Sequence, residues 1–213
     1  MTEMISLNKL NCYLGDRRIL SDISCKFNSG EVIFITGANG AGKSTFLRLV
    51  AGLLEPETGQ VDATKGLRFS YQGHDLGLYS EFTVAENLNL FLEAANQKKL
   101  LQQCLAEWQL TELADRRVSD LSRGQGFRAA LACTFNCDAN VLLLDEPTAN
   151  LDQTFCTLIS NQIINFIKQA GPRLVLIASH QELPLAELTL RRISLDQGIL
   201  SEIDPNNFNQ RSA

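Results

Sequence analysis

Nine residues, GANGAGKST from Gly37 to Thr45, constrain this chain more than any other stretch. They fit G-x-x-x-x-G-K-[ST] and sit between the apolar run EVIFITG and the helical stretch KSTFLRLVAG, which Gly52 closes. Glycines let the backbone turn tightly enough for successive N–H groups to point at one anion, and the helix end behind them adds partial positive charge. Gly37, Ala38, Asn39, Gly40, Ala41, Gly42, Ser44 and Thr45 are therefore candidate phosphate-cradling positions. Lys43 is expected to reach the β- and γ-phosphates of ATP, and the Ser44 hydroxyl to ligate Mg2+.

Two more continuous apolar runs, VLLLDE and RLVLIASH, end in polar residues. Strands buried on both faces have this composition, and they belong to parallel sheets covered by helices. The polar groups stand at the carboxyl ends of all three runs, where open α/β sheets bind ligands. Asp145 ends such a strand, a costly place for a carboxylate unless it serves a cation, here Mg2+ through water. Glu146, one residue on, can polarise a water for attack on the γ-phosphate. These residues imply nucleotide hydrolysis. A long helical stretch from about Val84 to Asp115, interrupted by NQKK, reads as an inserted helical subdomain, and RRISLDQGILSEI reads as a hairpin turning at Asp-Gln-Gly.

A second glycine-containing segment, LSRGQ, runs into the helical stretch GFRAALACTF. Ser122 has the side chain of an N-cap, so the helix start behind it is another anion site. Two anion-binding helix ends with one lysine-bearing loop are reconciled if two protomers share each nucleotide, one giving Lys43 and the other Ser122.

Bulk properties narrow the function classes. Nineteen basic against twenty-four acidic residues give a net charge of −5, which argues against a broad phosphate-backbone-binding face and hence against nucleic acid as a partner. No apolar run reaches the roughly 18–20 residues that span a bilayer, so any membrane work is expected to go through a partner. The six cysteines show neither C-x-x-C pairs nor zinc spacing, although Cys133 and Cys137 could share a helix face. With no leader of the secretory kind, a reducing cytosolic compartment is expected.

Over nearly its whole length the chain resembles the ATP-binding cassette (ABC) ATPases. GANGAGKST, LSRGQ, LLLDEPT, ANLD and SH occur in the family's order, with Arg123 departing from the commoner L-S-G-G-Q. The resemblance implies a single α/β domain over residues 1–213: a P-loop core of mostly parallel sheet with flanking helices, an N-terminal antiparallel β part, and a helical subdomain at roughly 82–133. It assigns Lys43, Glu146 and His180 to catalysis, His180 as a γ-phosphate switch, Ser44 and Asp145 to the metal, and Tyr13 to stacking on adenine. Ser122, Gly124 and Gln125 would contact nucleotide from a second copy, and Ala149 to Asp152 would couple the two sites.

The family normally carries a γ-phosphate-sensing glutamine nine residues before the threonine of a TVAENL-like segment. Counting back from Thr83 lands on His74, and a one-residue loop shift would return the role to Gln72. A histidine there is similar to the branch of the family that works in cytochrome c maturation, as are YQGHDLGLYSEFTVAENLNLF and LTLRRISLDQG. That similarity implies docking on integral membrane subunits of the cytochrome c maturation complex, at the cytoplasmic face of the inner membrane. Another small ABC exporter ATPase for a lipid, lipoprotein or peptide is the alternative, followed by a soluble ABC ATPase without a transport role.

Overall fold

The structure, a computed structural model, describes residues 2–94, 101–148, 152–181, 183–185 and 187–203. Two sheets organise it. The first is antiparallel, with β1 (Glu3–Leu14) paired to β2 (Arg17–Asn28) on one side and β4 (Thr58–Ala63) on the other. The second has the order β5-β6-β7-β3-β8-β9, built from β3 (Val32–Thr36), β5 (Phe69–Gln72), β6 (Val141–Asp145), β7 (Leu174–Ala178), β8 (Leu190–Asp196) and β9 (Ile199–Glu202). Its pairings are parallel from β5 through β8, and only the terminal β8–β9 hairpin is antiparallel.

The continuous apolar runs follow from two-sided burial. Val32 and Phe34 of β3, Leu142 and Leu144 of β6, and Val175 and Ile177 of β7 pack into one core. Their alternating neighbours Ile33, Ile35, Val141, Leu143, Leu174 and Leu176 pack into another. Successive side chains on a strand point to opposite faces, so every position of a doubly covered strand is apolar. The first core is closed by α4 (Arg123–Phe135) and α5 (Gln153–Ile167), the second by α1 (Lys43–Val50) and the antiparallel sheet.

Local chemistry sets the element ends. At the start of α2 (Val84–Ala94), the Glu86 N–H donates to Thr83 Oγ1 while the Thr83 N–H donates to the Glu86 carboxylate. Ser122 and Gln125 make the same reciprocal pair at α4, so both helices begin at a capping box. The β8–β9 hairpin turns on Gln197 and Gly198, at φ 46° and 79°. A Cβ on Gly198 would stand 2.4 Å from the Ile19 carbonyl oxygen, so only glycine fits where the turn meets β2.

The helical stretch read from Val84 to Asp115 is divided. α2 ends at Ala94, α3 spans Leu101–Glu107, and 3-10 turns follow at Thr111–Leu113 and Val118–Asp120; the NQKK patch lies outside the described residues. Gln109 at φ 53° stops α3, with the Leu110 N–H donating back to the Leu105 carbonyl. Helix α4 ends at Phe135, so Cys137 lies just beyond the helix on which Cys133 sits, and its Sγ donates to the Cys133 carbonyl. Burial raises both thiols above their ordinary value and pushes Cys25 up to about 12, so these sulfurs stay protonated at neutral pH.

Trp108, fully buried after α3, packs on Phe135 at 5.3 Å and Phe155 at 6.3 Å between ring centroids. It ties the helices inserted between β5 and β6 to α5. Trp108→Ala is expected to cost about 3–5 kcal/mol, read by urea unfolding; a loss below about 1 kcal/mol would show that this junction carries little of the core.

Candidate nucleotide site

The sheet order brings the polar strand ends together. β7 lies between β6 and β3, so the segments after Asp145, Ala178 and Thr36 emerge side by side at one edge. The glycine loop leaves β3 there and enters α1. Gly37 is fixed by contact, since a Cβ at its φ of 149° would fall 2.1 Å from the Leu195 carbonyl oxygen. The loop therefore passes directly over β8.

Lys43, at the first position of α1, is only 7% exposed. Its ammonium donates to the carbonyl of Gly37 at 2.9 Å and to that of Ala38 at 3.4 Å, and lies 3.0 Å from His180 Nε2 and 3.8 Å from Glu146 Oε1. A buried cation needs such partners, because removing it from water without them is prohibitive. His180 Nε2 also meets Asn39 Oδ1. One ring nitrogen serves one of these at a time: carrying its proton it donates to Asn39, and without it it accepts from Lys43.

Glu146 follows β6 in the left-handed region at φ 51°, a conformation uncommon for a side chain of this size. The Glu146 N–H donates to the Ala178 carbonyl at 2.7 Å, pinning this turn to the end of β7. Its Oε1 lies 3.4 Å from His180 Nε2, and its Oε2 accepts from the His180 backbone N–H at 3.3 Å. The strained turn thus aims this carboxylate at a lysine and a histidine.

Asp145 is 1% exposed; its Oδ2 accepts from the Tyr71 hydroxyl while Oδ1 is buried without a protein partner. Ser44 shares its cleft. An orphaned buried carboxylate oxygen on a cleft that a serine also lines fits a hard divalent cation such as Mg2+. These groups open on a cleft of ≈ 520 Å³, within the size range of ligand pockets. Leu14, Arg17 and Ile19 form its wall on the β1–β2 side.

Gln72 and His74 separate cleanly. Gln72 is 2% exposed, its amide donating to the Gly73 and Asp75 carbonyls and its oxygen accepting from Thr134 Oγ1. It is spent on holding the loop to α4. His74 lies beyond the end of β5 and lines the cleft with Lys43 and Glu146. Tyr13 is exposed on β1 and does not line the cleft, whereas its neighbours Leu14 and Arg17 do. Ser122, Gly124 and Gln125 stand apart from the cleft at the start of α4. Ala149, Asn150 and Leu151 lie outside the described residues, while Asp152 caps α5 through the Phe155 N–H. Sequence reasoning missed Tyr71, Arg17 and Leu14; a tyrosine in an apolar strand and residues of a hairpin carry no motif.

The family model described as ABC transporter matches residues 20–149. The chain belongs to the ABC transporter family. The cytochrome c biogenesis ATP-binding export protein CcmA of Escherichia coli O157:H7 is 34% identical over 204 residues, covering 91% of this chain and 97% of that protein, and its counterpart in strain K12 matches equally. Among solved structures, an ATP-binding subunit of an ABC transporter superposes with a TM-score of 0.82 at 22% identity, covering 99% of this chain and 95% of that one. A dimeric ATP-binding cassette in a post-hydrolysis state, bound to ADP and Pi, superposes with a TM-score of 0.79 at 22% identity over 94% and 99%. The α/β architecture with its added antiparallel sheet is the ABC ATPase fold, and the chain is an ATP-binding, ATP-hydrolysing subunit of that family. Among the described residues no helix is long and apolar enough to cross a membrane.

The two loop residues should respond differently to substitution. Gln72→Ala removes the amide that donates to the Gly73 and Asp75 carbonyls and ties them to Thr134, and should destabilise by about 1–3 kcal/mol, whereas His74→Ala should leave stability unchanged within about 0.5 kcal/mol and alter ATP turnover. Urea unfolding beside a steady-state ATPase assay decides this; the reverse pattern would return the sensing role to Gln72.

Proposed function

We propose that this protein is the ATP-hydrolysing subunit of a membrane complex in cytochrome c maturation, where turnover drives heme export or release of a heme-loaded chaperone. The observation that carries this reading is the 34% identity to CcmA spread over 91% of the chain. The position of His74 on the nucleotide cleft supports it.

In this reading the loop N–H groups from Gly37 to Thr45 cradle the phosphates, and the Lys43 ammonium moves from the loop carbonyls to the β- and γ-phosphate oxygens. Glu146 orients and deprotonates the attacking water, and His180, hydrogen-bonded beside it, contacts the γ-phosphate. His74 senses that phosphate from the loop after β5. Ser44 and Asp145 would hold Mg2+, which would supply positive charge against the charge developing on the phosphates. Leu14 and Arg17, with Tyr13 behind them, flank the base.

Ser122, Gly124 and Gln125 complete the site from a second copy. Their helix start lies outside the cleft of their own chain, which supports a nucleotide sandwiched between two protomers. The pair then sits peripherally on integral membrane subunits at the cytoplasmic face of the inner membrane.

Lys43→Ala should lose nucleotide affinity, because phosphate charge is left uncompensated; unchanged affinity in a titration with fluorescent ATP would remove its role. Glu146→Gln should keep affinity and lose about 10²-fold or more in turnover. Glu146→Gln loaded with ATP and drawn through solubilised native membranes should bring down cytochrome c maturation subunits, with a Soret band. Recovery of another permease without heme would refute the cytochrome c assignment and leave the ATPase reading standing.

A further inference from the structure

Asp145 is held from behind by a pair of side chains that no sequence motif announces. The Tyr71 hydroxyl lies 3.3 Å from Asp145 Oδ2, and Arg48 Nε lies 3.4 Å from the same hydroxyl. Strand pairing sets this contact: β5 runs beside β6 with Tyr71 level with Leu143, two residues short of Asp145. Arg48 reaches in from the last turn of α1, the helix that begins at Lys43. The loop that carries His74 closes the other side, since a Cβ on Gly73 would stand 2.6 Å from the Tyr71 hydroxyl oxygen.

The direction of these bonds is fixed by chemistry. A guanidinium only donates, so it takes a lone pair of the tyrosine oxygen and leaves the single hydroxyl proton for the carboxylate. Asp145 Oδ2 is thereby satisfied, and Oδ1 remains as the buried oxygen without a protein partner, on a residue that lines the same cleft as Ser44.

We propose that Tyr71, oriented by Arg48 and wedged by Gly73, is a positioning residue that presents Asp145 Oδ1 to the divalent cation of the nucleotide. It does not line the nucleotide cleft. Because the same ring packs against the backbone of the His74 loop, displacement of that loop moves the hydroxyl that holds the metal-side carboxylate. The inference rests on the metal role proposed for Asp145.

The test uses the full-length protein with Mn2+ as the probe, titrated by electron paramagnetic resonance in the presence of a non-hydrolysable ATP analogue. Tyr71→Phe should raise the Mn2+ half-saturation about tenfold, the loss of one hydrogen bond to a charged group. Metal-free nucleotide affinity should stay near wild type, the thermal midpoint should fall modestly as Asp145 Oδ2 loses its partner, and excess metal should restore kcat. Arg48→Met should shift Mn2+ binding in the same direction, and Arg48→Lys, which keeps a donor, should shift it less. Wild-type Mn2+ binding in Tyr71→Phe would overturn the proposal, as would a loss of kcat that excess metal does not restore. Asp145→Asn run alongside separates the two failures: if it too leaves Mn2+ binding unchanged, the metal role of Asp145 falls, and if it abolishes binding while Tyr71→Phe does not, only the positioning role falls.

Discussion

The buried ammonium of Lys43 is the constraint around which this molecule is arranged. A cation that is 7% exposed needs acceptors on several sides, and here they come from three separate parts of the chain. The loop supplies the Gly37 and Ala38 carbonyls, the end of β6 supplies Glu146, and the segment after β7 supplies His180. Those parts can converge only because β6, β7 and β3 are parallel neighbours whose carboxyl ends share an edge. Fold and site are in this sense one requirement: two-sided burial makes the strands continuous apolar runs, and parallel order puts their polar ends in reach of one lysine.

The same geometry explains where strain is tolerated. Glu146 takes a left-handed backbone directly after a fully buried strand, and its N–H is caught by the Ala178 carbonyl of the neighbouring strand. The turn aims its carboxylate at Lys43 and His180 rather than along the strand. In the proposed chemistry this is the orientation needed to act on a water placed beyond the lysine, and the sheet supplies the stability that offsets the strain.

Much of this was legible in the residues, because it rests on local rules. The glycine pattern, the apolar runs leading to Asp145 and His180, the capping signature at Ser122 and the Asp-Gln-Gly turn all depend on neighbours within a few positions. What was not legible depends on partners far away in the chain. The count back from Thr83 lands on His74 but leaves Gln72 open through a loop shift, until Thr134 on α4 is seen to occupy the Gln72 amide. Tyr71 reads as strand filler until β6 brings Asp145 beside it. The break after α3 was hidden because Trp108 and Leu110 continue an apolar periodicity that tertiary packing uses in a turn.

In the proposed sandwich a second copy completes the site, and the lysine cluster of one chain is half of a catalytic centre. Sedimentation velocity of the Glu146→Gln protein with Mg-ATP, beside its Ser122→Arg derivative, addresses this most directly. A shared site predicts a dimer for the first, and a monomer that still binds ATP for the second. A monomeric Glu146→Gln protein at saturating ATP, or a dimer indifferent to arginine at position 122, would contradict it.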